Sequence, residues 1–363
     1  GAHSIRRDGE GLSIYSTENI HIRPRPDGQG ITVEVLPGTR GETVHIPVIM
    51  SASGLTDKVY NHFDIGEGAD VSIVAGCGIH NCGTSDSRHD GIHTFRVGPG
   101  ARMRYTEKHY GEGTGGGRIL NPVTEIIVEE GAQAFLEMVQ IEGVDHTVRT
   151  TRVSLGREAG ITIQESLLTD GTQEADSIVE VALEGENSDA RIISRSVARG
   201  SSRQMFALKM TGRAPCRGHI QCDSILMDDA RVASVPEVRA EHPEAGLIHE
   251  AAIGRIAGEQ LTKLMTLGLT REDRILTVGP LYHVGAFDLP GTAVLWVGGT
   301  MCILRDFDPD WMLAAIEREK LTCAWMAPVM LGRALTLEGR QKYDLTSLRW
   351  VIGGGEKTPE GRI

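Results

Sequence analysis

The feature that most constrains this chain is a repeat. Small-residue turns recur along its first part, at Gly66 to Ala69, Gly98 to Ala101, Glu129 to Ala132, Gly156 to Ala159 and Gly185 to Ala190. The alanines that anchor them, Ala69, Ala101, Ala132, Ala159 and Ala190, return at intervals of about 30 residues, the mark of a stacked structure in which each unit covers the apolar edge of the one before. Short alternating runs follow the turns, among them Val71 to Val74, Arg102 to Tyr105, Ala134 to Glu137 and Gly160 to Gln164. Their β-branched content and two-residue period read as strands. With 45 glycines and only 4% aromatic residues, the composition favours tight turns and small packed side chains. A β-helix over residues 1–240 is therefore predicted.

The texture changes at His242 to His249. From Ala251 to Leu267 the apolar residues Ile253, Ile256, Leu261, Leu264 and Met265 lie near helical spacing, so a C-terminal helical segment is expected over 241–271. Beyond Asp273, the apolar runs Ile275 to Val278 and Ala293 to Val297 alternate with an amphipathic stretch, Asp308 to Lys320. That stretch opens with an N-cap Asp308 and Pro309 at the first helical position. Strand, helix and strand predict an α/β piece over 272–363.

A net charge of −12 argues against a surface built to neutralise phosphates, and no nucleic-acid partner is expected. The apolar stretch from Leu289 to Val297 is broken by Pro290 and Gly291 and falls far short of the ~20 residues that span a bilayer, so no membrane partner is expected either. No charged-then-apolar segment that would read as a secretory signal stands at the start of this sequence, and the six cysteines are expected to be reduced thiols in a cytoplasm.

Three groupings could carry chemistry. Cys222 lies at the start of an apolar strand, six positions after Cys216. A thiolate there can ligate a cluster or attack sulfur, while a thiol facing the inside of a β-helix is equally a small hydrophobe. His249 and Glu250 form an imidazole and carboxylate pair, readable as metal ligands or as residues at a helix N-terminus. Cys77, His80 and Cys82, followed by His89, His93 and later His109, gather thiols and imidazoles around a glycine-rich loop suited to metal capture, although Cys-x4-Cys is not the spacing of a zinc knuckle. Gly111 to Gly117 lacks the Gly-Lys-Ser/Thr ending of a phosphate loop and reads as a flexible turn.

The runs Asp223 to Met227, Val235 to Val238, His242-Pro243 and His249 to Leu261 closely resemble the C-terminal part of the SufB/SufD core family. Val74 to His80, His89 to His93, Glu107 to Glu112 and Ser194 to Ala198 resemble its short bacterial and archaeal members, so the likeness covers about residues 1–271. It implies a right-handed parallel β-helix and a role as a non-catalytic scaffold carrying a transient Fe-S cluster. The implied partners are an ABC-type ATPase, SufC, a second SufB/SufD-type subunit as homo- or heterodimer, and a cysteine desulfurase or sulfur carrier. Cys222 matches the family thiol implicated in sulfur acceptance or cluster ligation, and His249 with Glu250 matches the SufB-type helper or ligand set. Cys77, Cys82, Cys216, His80, His89 and His93 remain candidates. The chain opens inside the family's N-terminal region, so a preceding segment is expected, and the tail that helps seat the ATPase is expected to be truncated.

Glu272 to Leu276, Gly279 to Ala286, Trp325 to Met330 and Leu348 to Glu356 resemble the central part of acyl-CoA synthetases of the adenylate-forming superfamily, over about 266–363. There His283 would line an acyl pocket, and Gly353, Gly354 and Gly355 would begin the adenine-side loop. A packed histidine and a plain turn explain the same residues. The phosphate loop, the later acidic residues and the catalytic-lysine domain are not recognisable, so no ATP site of its own is expected. Leu267 to Asp273 fits both families and is the expected join.

Overall fold

The computed structural model describes residues 1–255, 269–279, 281 and 291–353. They form two compact units, Gly1–Arg255 and Ile256–Ile363.

The first unit is a β-solenoid walled by two ten-stranded sheets. One sheet holds β1 (Ala2–Arg7), β2 (Glu10–Tyr15), β5 (Arg40–Met50), β7 (Asp70–His80), β9 (Arg102–Glu112), β12 (Gln133–Glu142), β14 (Gly160–Thr169), β16 (Ser188–Ala198), β18 (Cys216–Leu226) and β20 (Ala245–Arg255). The other holds β3 (Ile20–Pro24), β4 (Gly30–Val35), β6 (Thr56–Ile65), β8 (Ser87–Val97), β10 (Arg118–Leu120), β11 (Val123–Val128), β13 (His146–Leu155), β15 (Glu174–Leu183), β17 (Arg203–Gly212) and β19 (Arg231–Ala240). From β4 onward the chain alternates between the sheets, with β10 and β11 together filling one place in the second sheet between β8 and β13, so each coil lays its strands in parallel register on the coil before it. The four runs read from sequence as strands fall within β7, β9, β12 and β14, stacked neighbours in one sheet.

The turn alanines form a buried corner column. The N–H groups of Ala69, Ala101, Ala132 and Ala159 donate to the carbonyls of Gly66, Gly98, Glu129 and Gly156 at 3.0–3.3 Å, closing each turn. Their own carbonyls accept from Arg102, Gln133, Gly160 and Asp189 of the next coil at 2.7–3.0 Å. The residue before each one turns left-handed, at Gly68, Gly100, Gly131 and Glu158 with φ of 56–67°. The fifth place belongs to Ser188, whose hydroxyl donates to Gly185 O at 2.7 Å. Ala190 stands two residues along the strand, opposite Ile161. Serine therefore replaces alanine because its hydroxyl can bond its own turn. Cys216 pairs with Ser188 in the following coil and is buried, so the column explains it as a small corner residue. At the head of the turn, a Cβ on Gly185 would come within 2.1 Å of Arg157 N, which is why glycine is needed there.

Inward side chains stack on like side chains between coils. Phe63 lies over Phe95 with centroids 4.4 Å apart, and Tyr105 meets Phe95 edge-on at 4.9 Å. The aliphatic core runs the length of the unit from Ile20 to Cys222.

The second unit holds a parallel sheet ordered β22 (Thr300–Leu304), β21 (Arg274–Val278), β23 (Cys323–Met326) and β24 (Trp350–Gly353). Pro309–Glu319 is a helix capped as expected, with Asp308 accepting from the N–H groups of Asp310 and Trp311 at 2.9 and 3.0 Å. Asp273, almost fully buried at the foot of β21, accepts from Thr270 N and Thr322 Oγ1, both at 2.7 Å, and from Arg349.

Two expectations are corrected. The run read as a strand at Ala293 to Val297 is largely helical, Gly291–Trp296, with Ala293 and Val294 buried and Leu295 and Trp296 exposed. Short apolar runs do not distinguish the two states without a longer period. The helical segment expected from 241 instead begins with β20, which continues the ladder on β18 as far as Arg255. An edge of open backbone groups outweighs a weak helical spacing. The part of that segment at 256–268 lies outside the described residues. Among the described residues, no helix is long and apolar enough to cross a membrane.

If the corner column admits only small side chains, Ala132→Leu will destabilise the solenoid by about 1–3 kcal/mol through overpacking. Glu158→Gly will raise stability by about 1 kcal/mol, because glycine removes the left-handed strain. Chemical denaturation followed by circular dichroism measures both.

Candidate functional site

Cys222 is fully buried on the inner face of β18, in register with Ser194 before it and Ala251 after it. It lies one rung from the end of the stack, where β19 and β20 close the two sheets. Burial pushes its thiol up; Ser234 and Ser224 oppose this by hydrogen bonding, while Glu165 and Asp223 add to it. At neutral pH Cys222 is therefore a protonated thiol that needs added positive charge to become a ligand or nucleophile.

Strand alternation separates the other two expected residues. His249 pairs with Ile220, so it stands on the inward face one diagonal step from Cys222. Glu250 faces outward, with its Oε2 3.6 Å from His219 Nε2. Burial, with His219 nearby, lowers the His249 pKa, leaving a neutral imidazole with a free lone pair. His249 Nε2 is buried without a hydrogen-bond partner. A protonatable sulfur and an unpaired imidazole nitrogen thus occupy the last coils of the solenoid, a donor set suited to soft metal or sulfur chemistry. On the outer face, Asp223 accepts from Gln221 Nε2 at 2.7 Å, and burial raises its pKa.

The third grouping is divided by the wall of the coil. Cys77, His89 and His93 point inside and, with Glu107 and His109, line a cavity of about 20 Å³. His80 and Cys82 lie outside it, at the end of β7 and in the loop beyond. Inside, Tyr105 Oη donates to Glu107 Oε1 at 3.0 Å, Glu107 pairs with Arg149, and Arg149 Nη2 approaches His109 Nδ1 at 3.2 Å. His89 Nδ1 meets Asp57 at 3.1 Å, and Asp57 also pairs with Arg6. Farther along the core, Glu165 accepts from Ser177 and Ser194. Burial pushes Cys77 well up, reinforced by Asp57 and Glu107, so it is no thiolate in this setting. Among the described residues, no three His, Cys, Asp or Glu side chains converge closely enough to hold a metal ion.

Burial lowers His93 to about 4 and His109 to about 3, against the pull of Glu107. Burial would raise Glu107, but His109, Arg149 and His93 hold it at about 2. With both imidazoles neutral at pH 7, Arg149 is the cation that keeps Glu107 ionised. Sequence reasoning passed over Glu107, Arg149, Glu165 and Ser234 because each comes from a different coil; their one local sign is a charged or polar residue at an inward position of an alternating strand.

In the second unit, Gly353 ends β24 opposite Met326. His283, Gly354 and Gly355 lie outside the described residues.

Residues 51–275, more than half of the chain, match the family described as SUF system FeS cluster assembly, SufBD core domain. The chain belongs to the SufBD family. An Archaeoglobus fulgidus iron-sulfur cluster assembly SufBD family protein is 30% identical over 257 residues, covering 69% of this chain and 67% of that protein. The Methanocaldococcus jannaschii SufBD family protein is 24% identical over 281 residues, covering 75% and 87%. Residues 249–363 match the AMP-binding enzyme family. An indoleacetate–CoA ligase of Aromatoleum aromaticum is 32% identical over 121 residues, or 33% of this chain and 23% of the ligase. The chain thus combines a SufBD core with a partial AMP-binding segment.

The buried histidines set a direction for stability against pH. Their folded pKa values lie below the ordinary 6.5, so their contribution is complete above pH 6.5 and is lost as pH falls toward 4 and 3. Each steepens the loss by up to about 1.4 kcal/mol per pH unit in that window. His109→Gln will flatten the acid limb, as read from unfolding midpoints across that range.

Proposed function

We propose that this SufBD protein is a scaffold subunit for iron-sulfur cluster assembly, with Cys222 as sulfur acceptor or cluster ligand and His249 as its companion ligand. The observation that carries this reading is the buried Cys222 thiol one diagonal step from the unpaired His249 Nε2, at the end of the stack. In sulfur acceptance, the Cys222 sulfur attacks the outer sulfur of a donor persulfide as its thiol proton passes to the departing donor sulfur. A new persulfide forms on Cys222, and the donor leaves as a thiol. In ligation, iron supplies the positive charge that the buried thiol lacks. Glu250 helps from the outer face, where its carboxylate lies near His219.

Two side chains do not complete an iron site, so the remaining ligands come from sulfide and from a second SufB/SufD-type subunit. A SufC-type ABC ATPase and a cysteine desulfurase or sulfur carrier complete the proposed system, in the cytoplasm. The second unit is proposed to have no ligase activity of its own.

Anaerobic reconstitution of the whole chain with iron, cysteine and a cysteine desulfurase tests the site. Visible absorption and acid-labile sulfide are expected in the parent, lost in Cys222→Ser and reduced several-fold in His249→Gln. Equal cluster content in the parent and Cys222→Ser would overturn the assignment. ATP–pyrophosphate exchange is expected at background; exchange above it would give the second unit a reaction.

A further inference from the structure

We propose that Cys82, His80 and Glu112 form a surface thiol site that exchanges with the S–S bond of an accessible disulfide, making Cys82 a site of mixed-disulfide modification. Cys82 is the exposed member of the free cysteines; Cys77, Cys216, Cys222 and Cys323 are buried and Cys302 is half-buried. Its Sγ lies 3.2 Å from His80 Nε2. On the other side of the ring, His80 Nδ1 faces Glu112 Oε2 at 3.7 Å, across the β7 and β9 register that sets His80 beside Glu112. The tautomer with its proton on Nδ1 leaves the Nε2 lone pair aimed at the thiol. This is the order of nucleophile, base and orienting carboxylate that activates a cysteine.

The loop is held rather than loose. Asn81, between His80 and Cys82, is fully buried; its Nδ2 donates to Ser85 O at 2.8 Å and Gly116 O at 3.1 Å, and its Oδ1 accepts from Gly83 N at 3.1 Å. The glycine run from Gly111, expected to be a flexible turn, lies directly on this loop. Gly115 N donates to Asn81 O at 3.0 Å and Gly116 N donates to Gly83 O at 2.6 Å. A Cβ at Gly113, Gly115 or Gly116 would come within 2.1–2.4 Å of the backbone of Asn81, Gly83 or Ser85. The glycines therefore let one coil seat the thiol loop of the previous coil at backbone contact, which fixes Cys82 against His80.

The openness of the site selects the reaction. Acyl transfer needs a water-excluding pocket with donors for an oxyanion. Thiol–disulfide exchange spreads charge along three sulfurs and needs only a deprotonated attacking thiol and access. Cys82 sulfur bonds to one sulfur of the disulfide as the S–S bond breaks. The other sulfur leaves as a thiolate, and the Cys82 proton passes through His80 to that leaving group. Cys82 is oxidised, and the incoming disulfide is reduced.

The test is stopped-flow reaction of the reduced whole chain with 4,4′-dithiodipyridine, a neutral disulfide that the net charge of −12 does not repel. One fast thiol per chain is expected, absent in Cys82→Ser. His80→Gln should slow it by about tenfold or more and Glu112→Gln by a few-fold, with unfolding midpoints matching the parent. Gly115→Ala should slow it while leaving Cys82 exposed. A fast phase surviving in Cys82→Ser, or His80→Gln reacting at the parental rate, overturns the proposal.

Discussion

Everything in the SufBD unit depends on the parallel ladder that joins one coil to the next. The chain must return to the same register after every circuit, and the corner is where this is decided. There a left-handed residue reverses the backbone, a small side chain tucks inside, and its carbonyl passes a hydrogen bond to the next coil. A bulky corner would push adjacent coils apart, and the ladder cannot stretch to follow.

Because the interior is a narrow column, whatever points inward is withdrawn from water. Most of it is aliphatic or aromatic, but Asp57, His89, His93, Glu107, His109, Arg149 and Glu165 are also there. Such groups persist only when paired: breaking a buried pair such as Glu107 with Arg149 costs about 3–5 kcal/mol. The same wall divides chemistry into an inside and an outside. Cys77 and Cys222 sit inside as protonated thiols, whereas Cys82, a few residues from Cys77, faces solvent beside an imidazole.

The AMP-binding segment follows different rules. Its parallel sheet depends on helices and on the buried carboxylate of Asp273, which ties β21 to Thr270, Thr322 and Arg349. That one side chain connects three separate stretches of the segment, so its order rests on specific polar contacts as well as on burial.

The β-helix, its strands and its alanine period were legible in the sequence because a coil repeats a local physical problem, and each solution leaves the same small residue at the same spacing. The period failed at Ala190, where Ser188 solves the corner with a hydroxyl instead of a methyl group. Family likeness picked out Cys222, His249 and Glu250, but it could not assign faces. The two-residue alternation of β20 places His249 inside and Glu250 outside, and that follows only from register with β18. Likewise, Cys77 and Cys82 read as one loop until the coil wall separates them. Sequence determined what each coil is made of. Tertiary structure alone decided which residues of different coils meet, because a parallel solenoid brings together residues about thirty positions apart, and no local pattern records which of them share the inside.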